Sequence, residues 1–194
     1  MSDIFCTRFG SILEEDAQVI EATLDQLLPR GHVRWLEVGM FRGGTGIGVR
    51  DYLAARGVSC EYWGIDAGYI TEPVQPFAEA HVVKGRSEEV YPYIPDGFDG
   101  IFIDGCHCRN HVILDTLNYS PKVKPGGFIL FHDCGKDSQG KDKQPCGPDR
   151  PEFWISTLAA FDLMKWPRPG WELFTEKERE GCPLGGTRSY RRIG

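Results

Sequence analysis

The feature that most constrains this chain is an alternation of short apolar runs with amphipathic stretches between residues 33 and 131. Val33–Val38, Glu61–Ile65, Ala80–Val83, Phe98–Ile103 and Phe128–Phe131 read as strands, the last following a Pro125-Gly126-Gly127 turn. A helix is expected from Thr45 to Arg56, stopped by Gly57. Another, capped by Asn110, carries Val112, Ile113, Leu114 and Leu117 and stops near Pro121. Strands this continuously apolar need cover on both faces, and helical crossovers between them make the sheet parallel. The expected fold class is therefore α/β, a mostly parallel central sheet with helices on both faces.

Flanking segments extend this frame. Residues 11–28 read as a helix, with Ser11 and Glu14 as a capping box and Leu13, Ala17, Ile20, Leu24 and Leu27 at steps of three and four. After the fifth strand, Cys134 to Arg150 is a polar loop of charged, Gly and Pro residues. A helix from Pro151 follows, with Trp154, Leu158 and Phe161 on one face. Trp171–Thr175 and Thr187–Ile193 then read as a strand pair, and Glu176–Glu180 as a solvated turn without a function. A length of 194 residues suits one domain: an N-terminal helix (1–30), a core (33–134), the polar loop (135–150) and a C-terminal helix and strand pair (151–194).

Composition removes several classes. A net charge of −6 gives no broad basic footprint, so no nucleic acid is expected as partner. No run reaches the ~20 apolar residues of a membrane span, and Met1–Cys6 lacks the layout of a signal peptide. Seven cysteines form no regular framework, so a reducing, cytoplasmic location is expected.

The informative motif is Glu37-Val38-Gly39-Met40-Phe41-Arg42-Gly43, between the first strand and its helix, where open parallel sheets bind ligands. Gly39 and Gly43 would let a ligand approach the backbone. The spacing is neither the dinucleotide fingerprint nor a P-loop. Asp66, closing the second strand, is placed to accept hydrogen bonds from ribose hydroxyls, or is a surface turn residue. In order and spacing, this turn, Asp66, Gly85-Arg86-Ser87-Glu88, Asp104-Gly105-Cys106-His107, Lys124-Pro125-Gly126-Gly127 and His132-Asp133 resemble the class I S-adenosylmethionine-dependent methyltransferases, catechol/macrocin O-methyltransferase-like branch.

That resemblance implies a Rossmann-like methyltransferase fold with an antiparallel C-terminal strand, and methyl transfer to a hydroxyl oxygen of a small-molecule acceptor. It assigns S-adenosylmethionine to Glu37, Gly39, Gly43, Asp66, Arg86, Ser87 and Asp104. Glu37 would orient the amino-acid end of the cofactor or support the site from behind. Metal-dependent relatives imply a divalent ion at Asp104, His132 and Asp133, although His at 132 departs from their carboxylate and suits a softer ion than Mg²⁺. Without metal, His107 is the first candidate general base, with His132 and Asp104 beside it; His111 ranks below.

Other features remain open. Cys106, Cys108 and His111 invite a zinc site, with Cys134 or Cys146 as fourth ligand, but their spacing is not the usual one and packing explains them equally. Cys134 and Cys146 could also form a bridge, which a cytoplasmic location argues against. Lys136, Lys141, Lys143 and Arg150 in the polar loop could attract an anionic acceptor or close as a lid, and Trp154 and Trp166 could wall the pocket. The N-terminal helix and the loop are alternative pocket walls or a homodimer interface. Two rival readings are a catalytically inactive cofactor-binding module and a nicotinamide-dependent reductase.

Overall fold

Period-two alternation along the strands builds two cores, one on each face of a single sheet. The computed structural model describes residues 12–68, 73–135, 157–180 and 182–194. Helix α1 spans Glu14–Leu27, β1 His32–Val38, α2 Gly44–Ala54, β2 Ser59–Asp66 and β3 His81–Lys84. A single turn, α3 (Ser87–Val90), precedes β4 (Phe98–Ile103), α4 (Arg109–Tyr119) and β5 (Val123–Phe131). Helix α5 (Thr157–Met164) and the strands β6 (Trp171–Arg179) and β7 (Cys182–Arg192) complete the chain. The sheet order is β3-β2-β1-β4-β5-β7-β6. Strands β1 to β5 run parallel, and β7 is antiparallel to both neighbours.

Trp35, Tyr62, Phe102, Phe128 and Leu130 point to the face covered by α1 and α2, where Ile20, Leu24, Leu27, Val49 and Leu53 meet them. Leu36, Val38, Ile65, Ile101, Ile103, Ile129 and Phe131 point the other way, onto Val112 and Tyr119 of α4 and Leu158 and Phe161 of α5. Each large side chain so buried contributes ~1.5–3 kcal/mol relative to exposure, and a one-residue slip of any strand would exchange the faces. Close packing of α2 on β2 uses a missing side chain: a Cβ at Gly46 would lie 2.4 Å from the Tyr62 ring.

The expected fold class is therefore what the chain forms, with differences at the edges. Leu13, not Ser11, is the N-cap of α1, and Ser11 lies outside the described residues, so Glu14 opens the helix. Cys108 rather than Asn110 occupies the N-cap of α4. The Pro125-Gly126-Gly127 segment lies within β5, where the register with β4 shifts between Phe98 and Gly100. The largest difference concerns Glu176–Glu180. Strand β6 continues through it to Arg179, pairing Glu176 with Arg188 and Lys177 with Thr187. An exposed edge strand can carry a charged run as readily as a turn can. The polar-loop lysines, Arg150, Cys146 and Trp154 lie outside the described residues. Trp166 packs in the core against Phe131, Trp171 and Tyr190.

Candidate active site

The carboxyl ends of β1 and β2 meet in the glycine turn. The N–H groups of Gly39 and Met40 both bond the Ile65 carbonyl, at 2.8 and 3.0 Å. Asp66 then ties the turn down, its Oδ2 accepting from Phe41 N at 2.8 Å and its Oδ1 from Gly68 N at 2.7 Å. Gly39 has φ +91°, and a Cβ there would sit 2.4 Å from the Asp104 carbonyl oxygen. The space freed at this glycine is thus taken by the β4–α4 turn of the chain itself. At Gly43 the neighbour is Pro76, 2.6 Å from a built Cβ. Sequence reading reserved both spaces for a ligand; in the structure their first use is close packing of loops.

Glu37 is 1% exposed and lies behind the turn. It accepts from Tyr62 Oη at 2.5 Å. Burial pushes its pKa up to about 8, against the lowering hydrogen bond from Tyr62, with Asp104 and Asp66 adding repulsion. Its observed partner ties β1 to β2 behind the turn. Beyond β3, Arg86 pairs with Glu88, and Ser87 Oγ donates to Asp115 Oδ1 at 2.5 Å. Burial raises Asp115 to about 7, the Ser87 hydrogen bond opposing it.

A charged cluster occupies the ends of β4 and β5. Asp104 has the parity of Phe102, and His132 that of Phe128 and Leu130, so both leave the sheet on the face of α1. His132 Nδ1 lies 2.8 Å from Asp104 Oδ1, and His107 Nε2 lies 3.3 Å from the same oxygen. The outward ring nitrogens have carboxylates of their own. His107 Nδ1 is 3.0 Å from Asp133 Oδ2, and His132 Nε2 is 3.5 Å from Asp16 Oδ2. Asp133 adopts φ +53°, which turns its side chain back toward His107. The inward nitrogens, His107 Nε2 and His132 Nδ1, are buried and lack an aligned hydrogen-bond partner despite the nearness of Asp104. These two atoms and an Asp104 oxygen lie within 4.8 Å of one another. The donor set brought together is Asp104, His107 and His132; Asp133, expected as a ligand, stands behind His107.

Burial disfavours the His132 imidazolium, but the Asp104, Asp16 and Asp133 carboxylates outweigh it and raise the pKa to about 10. His107 moves upward against burial for the same reason, through Asp104 and Asp133. Burial would raise Asp104, yet the charge of His132 and its contacts with both rings hold it well below the usual carboxylate range.

Two members of this cluster were missed in the sequence. Asp16 in α1 is fully buried, and Arg179 at the end of β6 donates from Nε to its Oδ2 at 2.8 Å. Thr187 Oγ1 donates to the other Asp16 oxygen at 2.8 Å, and an Arg179 Nη meets His132 Nε2. The one available signal was Asp16 itself, an acid flanking Ala17 on the apolar side of a helix. Nothing local marked Arg179, which lies among charged residues that face solvent.

On the other side of the β4–α4 turn, Cys106, Cys108 and His111 form a second group, ligand atoms within 4.8 Å of one another. Cys134 does not join it. Its thiol is buried and donates to the Phe131 carbonyl at 3.3 Å, and burial raises its pKa far above the ordinary value.

A parallel sheet with a reversed penultimate strand, a glycine turn after β1 and a charged cluster after β4 and β5 defines a Rossmann-like α/β enzyme. The comparisons with known proteins narrow the class. A family model described as "Methyltransferase domain" matches residues 36–134, just over half of the chain. The chain belongs to this methyltransferase family. No curated protein sequence matches it at a significant level. Among solved structures, the O-methyltransferase from Bacillus cereus in complex with SAH shares 16% identity at a TM-score of 0.62, covering 99% of this chain and 92% of that one. The O-methyltransferase TomG from Streptomyces achromogenes, in complex with SAM, also shares 16% identity, at a TM-score of 0.63 with 100% and 91% covered. The rival reading as a nicotinamide-dependent reductase falls with the family match. Among the described residues no helix is long and apolar enough to cross a membrane.

Proposed function

We propose that this methyltransferase moves a methyl group from S-adenosylmethionine to a hydroxyl oxygen of a small molecule, with a divalent ion held by Asp104, His107 and His132. The observation that carries the reading is the pair of buried, inward-facing nitrogens, His107 Nε2 and His132 Nδ1, converging with Asp104 beside the glycine turn. Two imidazoles and one carboxylate suit Zn²⁺, Mn²⁺ or Fe²⁺ better than Mg²⁺. Each imidazole is backed by a carboxylate, Asp133 behind His107 and Asp16 behind His132, the arrangement that fixes ring orientation in metal sites. When bound, such an ion lowers the pKa of an acceptor hydroxyl and fixes its oxygen.

The chain's own residues then perform the remaining work. Asp66 is the carboxylate at the carboxyl end of β2 where a cofactor ribose would sit, its turn already braced by Phe41 N and Gly68 N. Arg179 spans Asp16 and Asp133, at 2.8 and 3.6 Å, so that neither carboxylate is left as an uncompensated charge. Methyl transfer from a sulfonium is an in-line displacement, so positioning of the acceptor oxygen supplies much of the rate. A metal-free alternative, with His107 as base, is less favoured, because its two ring nitrogens already face Asp104 and Asp133, which raise its pKa against burial.

Labelled S-adenosylmethionine, offered with a panel of phenols, catechols and sugar hydroxyls, tests this reading. Transfer that falls at least ~10-fold on chelation and returns with Zn²⁺ or Mn²⁺ is expected. Transfer that is indifferent to chelation would overturn the metal, and failure of the folded protein to bind S-adenosylhomocysteine would overturn the whole reading.

A further inference from the structure

Residues 104–111 carry donor side chains on both sides of one turn. His107 belongs to the cluster of Asp104 and His132, whereas its neighbours Cys106 and Cys108 group with His111. Extended backbone at Cys108 (φ −73°, ψ 148°) explains the division, because successive side chains then point in opposite directions. We propose that Cys106 Sγ, Cys108 Sγ and His111 Nδ1 form a second metal site, suited to Zn²⁺ and separate from the one above.

Five features support the site. Cys108 Sγ lies 3.0 Å from His111 Nδ1, and the Cys106 thiol bonds the Cys108 sulfur, so the three donors already converge. Cys108 is the N-cap of α4 and His111 lies in its first turn, which places residues three apart on one face. The far nitrogen of His111, Nε2, faces Glu88 Oε1 at 3.8 Å, and such a carboxylate fixes the ring with Nδ1 toward the thiols. Two thiolates and an imidazole match the preference of Zn²⁺ and exclude Mg²⁺ and Ca²⁺. Cys106 and His111 are only half-buried, which leaves an entry path, while Cys108 is buried. No fourth donor joins the group among the described residues, so a water or another exchangeable ligand takes the fourth position. Bound zinc would clamp the β4–α4 turn that carries Asp104 and His107.

Cobalt reports this site without any assay of activity. The reduced full-length chain, stripped with a chelator, is titrated with Co²⁺ and then with Zn²⁺ while absorption is followed. A tetrahedral cobalt spectrum with thiolate-to-cobalt charge transfer, displaced by about one equivalent of Zn²⁺, is expected. The Cys106→Ser/Cys108→Ser double variant should lose the charge-transfer band, whereas Asp104→Asn should keep it, since the carboxylate–histidine site offers no sulfur. Cobalt binding without charge transfer in the wild type would overturn the proposal, as would a band that persists in the double variant.

Discussion

Strand β4 has a buried aspartate near each end, and the fold treats the two in opposite ways. Asp99, near its amino end, is fully buried and surrounded by aligned donors. Arg34 N reaches it at 2.7 Å, Lys124 Nζ lies 3.0 and 3.1 Å from its two oxygens, and Arg30 also pairs with it. Asp104, just past the carboxyl end, faces two imidazoles whose nearest nitrogens lack aligned bonds. A carboxylate answered by permanent cations and a backbone N–H is a stable structural joint. One answered by titratable rings with open nitrogens is arranged to take up something else, a proton or a cation. Ion pairing alone therefore does not distinguish the two ends of β4; the state of the partners does.

Exchanging function for stability at the two ends should separate them. Asp104→Asn should lower turnover by ~10²–10⁴-fold on the proposed mechanism, and should also lower the urea midpoint at neutral pH, since the fold holds this carboxylate well below its usual range. A midpoint shift with turnover preserved would erase the distinction. Asp16→Asn should act through His132, lowering turnover or metal affinity by ~10–100-fold while leaving S-adenosylhomocysteine affinity within a few-fold. Asp99→Asn should do the reverse, costing ~2 kcal/mol of stability, below the range for fully buried pairs because Arg30 and Lys124 are 28% and 39% exposed. Its turnover should match wild type.

A pH-dependent effect concerns Glu37, whose folded pKa of about 8 lies above its ordinary 4.5. The protonated form is the one the fold favours, so its contribution is complete below pH ~4.5, declines as pH rises, and is lost through about 8. Relative to Glu37→Gln, wild-type stability should fall over that window and level off above it. Urea midpoints measured from pH 5 to 9 check the slope; parallel curves would contradict it.

These differences explain what could be read from the sequence. The proposed cofactor half rests on local signals: Glu37, Gly39, Gly43 and Asp66 lie in, at the end of or just after successive strands, and the parallel sheet brings β1 and β2 together in register, Val38 opposite Ile65. The β4 and β5 ends were legible for the same reason, through Asp104, His107, His132 and Asp133. The outer carboxylate and its guanidinium were not. Asp16 and Arg179 are 163 residues apart and meet only because α1 packs on the β6–β7 hairpin. Charged residues on a helix or an edge strand look solvated until a tertiary partner is known. The packing of Gly39 was hidden on similar grounds, because its near neighbour is the backbone of Asp104, 65 residues away (104 − 39).

Calorimetric titration with S-adenosylhomocysteine tests the central claim most directly, run on wild type, Asp66→Ala and Asp104→Asn after each is shown to be folded. The account predicts micromolar binding to wild type, its loss in Asp66→Ala and its survival in Asp104→Asn, because along one carboxyl edge of the sheet the β2 end would hold cofactor and the β4 end would prepare the acceptor. Absence of binding to wild type, or affinity unchanged in Asp66→Ala, would contradict it.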